Sequence, residues 1–339
     1  MGDLEGSGYP TSRPDLAARR KAVPAKLPRF EATKASGASR LYFPAPRNTT
    51  MSTQTAAKAK LILGKALADS MLEAVAEKVA KLAEKPALAV IIAEGDPASE
   101  LYVSKKQAAC KKVGVHSLRF DVAATGTTKE ILAIISKLNS DPKVDGILVQ
   151  LPLPKQIDED KVIEAIDPAK DVDGFHPINL GRLSRGDEAA ALVSATPKGI
   201  IKLLESVNCN VSGKICAVVG TSNIVGKPVA YLLMNRKATV ITANSRTPDL
   251  GAVTRQADVI VVGVGKPGLV RGDMIKRGAV VIDVGTTKLP NGKLAGDVDF
   301  DTASQVASAI TPVPGGVGPM TIASLLDNTL IAYERRRKK

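Results

Sequence analysis

The sequence predicts an α/β protein made of two α/β domains in series, each with a parallel sheet covered by helices. Short apolar, β-branched segments alternate with amphipathic ones, and no tight-turn signal joins consecutive strands. Composition agrees, since 44% of the residues are hydrophobic but only 3% are aromatic and none is Trp. A core built from Ala, Val, Ile and Leu suits sheets that are covered on both faces. A chain of 339 residues has room for two domains.

The first predicted domain covers residues 58–200. It begins with a segment, 61–85, whose apolar residues recur at helical spacing, so we expect one long helix there. Strand-length apolar segments follow, separated by segments of helical period, and this order predicts βαβ units. The expected elements are strands at 87–93, 116–122 and 145–150 and helices at 98–113 and 127–139.

The second predicted domain covers residues 201–318 and repeats the same alternation. Its strand at 214–220 runs into the glycine-rich turn G-T-S-N-I-V-G-K-P ahead of a helix, a context that favours a Rossmann-like dinucleotide-binding domain. A last helix, over about residues 319–336, is expected to return to the first domain. The other expected elements are helices at 197–207 and 226–235 and strands at 214–220, 238–243, 258–263 and 279–285.

The formal net charge of +13 is concentrated at the two ends of the chain. Residues 1–50 hold nine Lys and Arg against four Asp and Glu, and residues 334–339 hold five basic residues and one acid. A nucleic-acid-binding protein carries its basic stripe on a folded face, so we predict solvated ends and no nucleic-acid partner. No apolar run approaches the ~18–20 residues of a membrane span, which predicts a soluble protein without a membrane partner.

Residues 1–57 are predicted to be a disordered extension, because they are rich in Pro, Ser and Arg and lack a hydrophobic period. The arginines from Arg19 to Arg47 would suit an organelle transit peptide, but four acidic residues argue against one. The alternative is that Met51 is the working start, and we then expect a cytoplasmic protein.

Neither a metal site nor a His-based catalytic triad is predicted. Cys110, Cys209 and Cys216 form no CxxC pair, and we expect them to be free thiols. His116 and His176 stand 60 residues apart, outside any spacing typical of zinc ligands.

A glycine-rich turn predicts the dinucleotide site. The strand at 214–220 runs into G-T-S-N-I-V-G-K-P, which opens a helix. Gly220 permits a tight turn, the helix offers free N–H groups to a pyrophosphate, and the Ser222 hydroxyl could donate to phosphate. The motif alone fits a structural turn equally well, and its place between strand and helix favours nucleotide binding. Ser245 and Arg246 follow the next strand without an acid, which favours NADP over NAD.

Three segments of the first domain carry polar residues that could act on a substrate. Tyr102 and Lys106 are four residues apart and share a helix face, and Gln150 ends an apolar strand. Asp171 and Asp173 lie in a loop that contains glycine. Each feature alone also fits surface decoration or turn formation.

Taken together, these motifs resemble the bifunctional methylenetetrahydrofolate dehydrogenase/cyclohydrolase family. The resemblance runs from about residue 58 to 334. It rests on segments in the family's order, which include P-A-S-E-L-Y-V-S-K-K, V-Q-L-P-L-P, K-D-V-D-G-F-H-P, V-V-G-T-S-N-I-V-G-K-P, G-K-L-A-G-D-V-D-F and I-T-P-V-P-G-G-V-G-P-M-T. It implies NADP as cofactor, a folate substrate and a homodimer formed through the second domain.

The resemblance also implies residue roles. Lys106 would be the key catalytic residue, Gln150 would bond and tune it, Tyr102 would stack on the pterin side and Asp173 would anchor the pterin ring. The remaining substrate contacts would be Val149, Leu151, Pro314, Gly315 and Gly316. The cofactor contacts would be Gly220, Thr221, Ser222, Ser245, Arg246 and Thr286.

Two positions depart from the family pattern, and alternatives stay open. Ser194 and Ala195 stand where the family commonly has Pro-Cys, which excludes a required thiol. Thr221 replaces a common Arg and leaves more of the NADP preference to Ser245 and Arg246. The alternatives are a monofunctional dehydrogenase using NAD or NADP, a nucleic-acid-binding protein with basic tails, and a homologue without catalysis.

Overall fold

A computed structural model describes residues 58–337 of the chain. The predictions for the extension at residues 1–57 lie outside the described residues. In chain order the elements are β1 (Lys60–Leu61), α1 (Gly64–Ala80), β2 (Ala87–Ala93), α2 (Pro97–Val113), β3 (His116–Val122), α3 (Thr128–Ser140), β4 (Gly146–Val149), α4 (Glu159–Glu164), α5 (Pro177–Ser184), α6 (Ala195–Ser206), β5 (Ile215–Val219), α7 (Gly226–Asn235), β6 (Thr239–Ala243), α8 (Leu250–Thr254), β7 (Val259–Val262), a 3₁₀ turn (Gly272–Met274), β8 (Val280–Asp283), β9 (Thr287–Lys288), β10 (Leu294–Ala295), α9 (Phe300–Ala303), β11 (Ala309–Ile310) and α10 (Val317–Arg337).

The first sheet has three parallel strands in the order β3-β2-β4. All seven residues of the central strand β2 are buried, as its Ala, Leu, Val and Ile sequence requires. Alternate side chains of β2 point to opposite faces. One face packs on α3 and the other joins the core formed with α1, α2, α6 and α10.

The second sheet has six parallel strands in the order β1-β11-β8-β7-β5-β6. Its first strand comes from the very start of the described chain, where the sequence predicted a helix. That prediction is wrong for residues 61–63, because the N–H groups of Lys60 and Ile62 donate to the carbonyls of Ser308 and Ile310. It is also wrong for residues 81–85, which follow the end of α1 at Ala80. Hydrophobic period cannot separate two strand residues from the first turn of an adjoining helix.

The α/β class and the returning C-terminal helix are confirmed. Helix α10 packs against α1 and α6, and so connects the end of the chain to the first sheet's helical layer. The sequence reading missed the short helices α4, α5, α8 and α9, and it missed an antiparallel pair, β9 with β10. Helices of four to eight residues are too short to display a clear 3.6-residue period, and strands of two residues display no alternation.

The basic end of α10 is bound to the protein, whereas the charge pattern predicted a solvated tail. Arg335 donates to the carbonyls of residues 189–191, and Arg336 and Arg337 both pair with Asp145. The Asp145 carboxylate is fully buried and also accepts from the backbone N–H of Ala87. A buried carboxylate needs such partners. None of the helices in residues 58–337 is long and apolar enough to span a membrane.

Candidate active site

Lys106 lies on the buried face of α2. Asp96 caps this helix by accepting from the N–H groups of Ala98 and Ser99, and Pro97 occupies its first turn. From this fixed start, the buried residues recur every three to four positions and reach Lys106, which is only 8% exposed. A lysine therefore occupies a position at which helical periodicity alone predicts an apolar residue.

The Lys106 amine is bonded to the end of the first sheet. Its Nζ donates to Oε1 of Gln150 at 3.0 Å, and Gln150 Nε2 donates to the Leu151 carbonyl at 2.7 Å. The backbone N–H of Gln150 donates to the carbonyl of Ile91 in the central strand β2. This bond fixes the backbone position from which the Gln150 side chain extends. The predicted link between Lys106 and Gln150 is thus present in the structure.

Burial lowers the pKa of Lys106 below its usual value, because desolvation disfavours the ammonium form. The negative charge of Asp173 opposes this shift. Burial in turn raises the pKa of Asp173 to about 6, with Lys106 acting to lower it and Asp171 raising it further. The pKa values of this amine and this carboxyl are therefore closer together than those of the free groups, which suits acid–base chemistry.

Asp173 is held by a loop that Asp171 organises. The buried carboxylate of Asp171 accepts from the backbone N–H groups of Gly174, Phe175 and His176 and from the Asn179 side chain. Asn328 of α10 donates to the carbonyl of Val172 at 2.8 Å from outside the loop. The flexible-looking K-D-V-D-G segment is therefore fixed on both sides.

Adjoining cavities bring the two halves of the molecule together. Lys106, Gln150 and Leu151 line a cavity of about 410 Å³ together with Val225 and Thr286, which follow strands of the second sheet. A cavity of about 130 Å³ behind it is lined by Lys106, Gln150 and Leu151 again, and by Val149 and Asp173. Clefts between domains are common small-molecule sites. The predicted substrate residues of the first domain therefore share one cleft.

Tyr102 connects this cleft to a third, more apolar cavity of about 330 Å³. Pro314, Gly315 and Gly316 line that third cavity, with Thr286 and Tyr102 common to both. Tyr102 is exposed at this junction of the two cavities, where its side chain can contact a ligand.

The glycines of the P-G-G segment have a structural reason of their own. Gly315 has a φ of 106°, which favours glycine, and its carbonyl accepts from the N–H of Gly64 at the start of α1. A side chain on Gly316 would meet Thr311 and Pro312. The close backbone approach inferred from the resemblance thus occurs here between protein segments.

The glycine-rich turn at residues 220–226 fits a pyrophosphate. A side chain on Gly220 would collide with the Gly263 carbonyl, and one on Gly226 would collide with the backbone of Gly220 and Thr221. Ser222 is exposed, and its Oγ accepts from the N–H of Val225 at 3.2 Å, which leaves its hydroxyl hydrogen free to donate. Helix α7 begins here with its N–H groups at the same edge.

Ser245 and Arg246 lie beside this turn, at the end of the neighbouring strand. They form the exposed tip of a turn closed by Asn244, which accepts from the N–H of Arg246 at 2.9 Å. A side-chain hydroxyl and a guanidinium at this edge suit a 2′-phosphate. The cavities above are not lined by Gly220, Thr221, Ser222, Ser245 or Arg246, which stand together along the carboxyl edge of the second sheet.

Sequence reading missed several residues that shape the cleft. Asp283 is buried and accepts from the N–H groups of Gly285, Asp297 and Val298, and burial raises its pKa to about 6. Asp297 accepts from the N–H of Gly265 at 2.9 Å. These carboxylates position the loops that follow β7 and β8. Asn328 is a third residue that the sequence analysis missed. The signal that could have identified it is a polar residue within the mostly apolar helical segment L-L-D-N-T-L-I.

The comparisons with known proteins agree with this arrangement. Residues 62–173 match the catalytic domain of the tetrahydrofolate dehydrogenase/cyclohydrolase family, and residues 194–337 match its NAD(P)-binding domain. The chain belongs to this family. The resemblance drawn from the motifs is confirmed.

Individual relatives in the family align over most of the folded chain. The bifunctional protein FolD of Acetivibrio thermocellus is 50% identical over 284 residues, which cover 83% of this chain and 99% of the relative. The bifunctional enzyme FolD of Campylobacter jejuni superposes with a TM-score of 0.80 at 47% identity, over 82% of this chain and 99% of that one. The FolD of Trypanosoma brucei, solved with NADP cofactor and an inhibitor, also gives 0.80, at 38% identity over 84% and 100%.

Across residues 58–337, no group of three or more His, Cys, Asp or Glu side chains is arranged to hold a metal ion. The cysteines Cys110, Cys209 and Cys216 are unbonded to one another, and burial raises the pKa of the Cys110 thiol to about 11. This thiol therefore stays protonated at neutral pH although it lies one helical turn from Lys106.

The electrostatics of Asp173 predict a pH-dependent effect on stability. Its pKa of about 6 in the folded protein exceeds the ordinary 3.8, so the folded state binds the proton more tightly than the unfolded chain. The stabilisation this gives is full below pH 3.8 and is lost as the pH rises through about 6. Relative to the parent, Asp173→Asn should therefore gain free energy of unfolding between pH 4.5 and pH 7.5, as measured by urea unfolding.

The matched control is Asp301→Asn, which changes an exposed carboxylate on α9. Its difference from the parent should be the same at both pH values. A difference for Asp173→Asn that stays constant would show that Asp173 ionises as it does in the unfolded chain, and a difference that moves in the opposite direction would show that folding lowers its pKa. Either result would contradict the prediction.

Proposed function

We propose that this protein oxidises 5,10-methylenetetrahydrofolate to 5,10-methenyltetrahydrofolate with NADP and then hydrolyses the product to 10-formyltetrahydrofolate. The observation that carries the proposal is the burial of Lys106 against Gln150 in a cleft whose opposite wall follows the second sheet. Relatives of the same family are named bifunctional, and their similarity covers both domains. The monofunctional alternative is less well supported, because Tyr102, Lys106, Gln150 and Asp173 are retained together around this cleft.

For the oxidation, the protein's task is to orient two flat rings. Removal of a hydride from the bridging carbon leaves a cation that the adjacent nitrogens stabilise, so no general acid is needed. Asp173 would accept from the amino-pyrimidine edge of the pterin, and Tyr102 would stack on the same substrate. Val149 and Leu151 supply apolar walls beside Lys106. Placing reactants in this way removes much of the entropic barrier.

For the cofactor, we propose the glycine turn and the strand-end residues beside it. NADP, when bound, supplies the hydride acceptor. Gly220, Thr221 and Ser222 would contact the pyrophosphate, Ser245 and Arg246 the 2′-phosphate, and Thr286 the end that enters the cleft. The Trypanosoma brucei relative contains NADP, which supports this choice.

For the hydrolysis, Lys106 would move the protons. Its lowered pKa makes a neutral amine accessible, and a neutral amine can accept a proton from attacking water. The hydrogen bond to Gln150 keeps Nζ directed at the cleft. Neither a metal nor a histidine is required by this route.

We further propose a homodimer formed through the second domain. Within the described residues, β6 pairs with β5 alone and leaves its other edge open, with four of its five residues partly or fully exposed. An open edge suits pairing with a second copy. Light scattering measures this directly. The cytoplasmic location and the absence of a nucleic-acid partner stay predictions.

Lys106→Met tests the mechanism. Methionine retains much of the stem volume but cannot accept or donate a proton. We expect the cyclohydrolase rate to fall by at least ~10²-fold, the effect of a lost general base, while dehydrogenase turnover remains measurable. Gln150→Ala should shift the same activity in the same direction by less. Both rates are followed spectrophotometrically on one preparation.

Lys111→Met is the control, because Lys111 lies on the same helix but is exposed. It should leave both activities at the parent level. A folded Lys106→Met enzyme that binds folate and hydrolyses methenyltetrahydrofolate at the parent rate would refute the proposed role.

Arg246→Ala tests the cofactor contact. Loss of the guanidinium should raise the KM for NADP by about tenfold, the value of one charge-assisted hydrogen bond, and should leave the KM for NAD nearly unchanged. Arg271→Ala, which removes an exposed arginine of the same domain, is the control. Equal changes for NADP and NAD would mean that Arg246 does not contact the 2′-phosphate.

A further inference from the structure

Four polar side chains share the wall between the two cavities that contain Lys106. They are Lys106, Gln150, Thr196 and Thr321, and each of them lines both cavities. Lys106 is bonded to Gln150, and Thr196 is bonded to Thr321 through their hydroxyl oxygens at 2.9 Å. Two hydrogen-bonded couples therefore line the wall between the two cavities. The mechanism proposed for the hydrolysis gives a role to Lys106 and Gln150 but none to Thr196 and Thr321.

The threonine couple is held rigidly by the packing of two helices. Thr196 lies in the first turn of α6 and Thr321 in the second turn of α10. The helices approach closely there, since a side chain on Gly199 would meet Met320. Lys198 and Asn328 join the same helices by a 2.8 Å hydrogen bond. The hydroxyls therefore have a fixed position relative to the cleft.

The hydrogen-bonding capacity of this couple is only partly used. Among residues 58–337, the structure gives the hydroxyls of Thr196 and Thr321 no hydrogen bond other than the one between them. By contrast, the hydroxyl of Thr329, farther along α10, donates to the carbonyl of Leu325. The mutual bond uses one of the two hydroxyl hydrogens, so one donor and several lone pairs remain at the cavity wall.

We propose that the Thr196–Thr321 couple binds and orients the water molecule that attacks the folate in the hydrolytic reaction. This inference rests on the proposed function. A small chamber with a spare donor and spare acceptors offers the two to four polar partners that an ordered water needs. Lys106, on the same wall, is the base that such a water requires.

Hydrolysis at the methenyl carbon forms one C–O double bond and breaks one C–N bond. The water oxygen forms a bond to the methenyl carbon, and one water proton passes to the neutral Nζ of Lys106. The resulting neutral adduct loses its hydroxyl proton as the C–O double bond forms, the bond from carbon to N5 breaks with its electron pair going to N5, and N5 gains a proton. One proton is released to solvent overall. The threonine hydroxyls hold the water and undergo no net change.

The test replaces each hydroxyl by a methyl group of the same size. Thr196→Val and Thr321→Val should each lower the kcat of the cyclohydrolase about tenfold, as expected for one lost hydrogen bond in a transition state. The dehydrogenase kcat and the KM for folate should change less than twofold, because hydride transfer uses no water. Thr321→Ser keeps the hydroxyl and should restore most of the lost rate.

Thr329→Val is the matched control, a buried threonine on the same helix that lines neither cavity. It reports any general effect on stability and should leave the ratio of the two activities unchanged. Equal loss of both activities in the cavity variants, or no loss in either, would overturn the proposal. A parent enzyme without cyclohydrolase activity would instead refute the proposed function itself.

Discussion

The burial of one amine is the constraint on which the candidate site depends. Removing Lys106 from water lowers its pKa, and the structure compensates with a single neutral partner, Gln150, and with the nearby charge of Asp173. A full salt bridge would hold the ammonium form more firmly and make proton transfer harder. The site therefore holds the pKa of Lys106 below its usual value, which favours release of its proton.

The surrounding structure fixes the partners of this amine from three directions. The β2–β4 register places Gln150, the loop organised by Asp171 places Asp173, and the loops held by Asp283 and Asp297 place the wall that faces them. Helix α10 ties these parts together, because its buried Asn328 bonds the backbone at Val172 and Val193. The buried side chains of Asp171, Asp283 and Asn328 each bond to two or more backbone groups of these loops, an arrangement that favours one geometry.

Much of the architecture could be predicted, because β2, β3 and α7 have the length and period that their sequences display. The short helices and the two-residue strands could not, because helices of four to eight residues scarcely show a 3.6-residue period and a two-residue strand shows no pattern of its own. The motifs placed Lys106, Gln150 and Asp173 in one cleft, where the structure has them. The charge pattern predicted a solvated end for α10 because Asp145, which pairs with Arg336 and Arg337, is about 190 residues away in sequence. Asp283 and Asp297 were missed for a different reason, because they bond to backbone N–H groups, which every residue except proline carries and no sequence pattern marks.

The proposed mechanism depends on a Lys106 amine whose pKa lies below the usual value of a lysine. Protein labelled with ¹³C at lysine Cε can be titrated by NMR, and Lys106→Met identifies the resonance. We expect the lysine signal that is missing from the variant spectrum to titrate, in the parent, below the usual pKa of 10.5. If the signal assigned to Lys106 titrates at or above that usual value, burial does not lower the pKa of this amine. The proposed role of Lys106 as the base in hydrolysis is then contradicted.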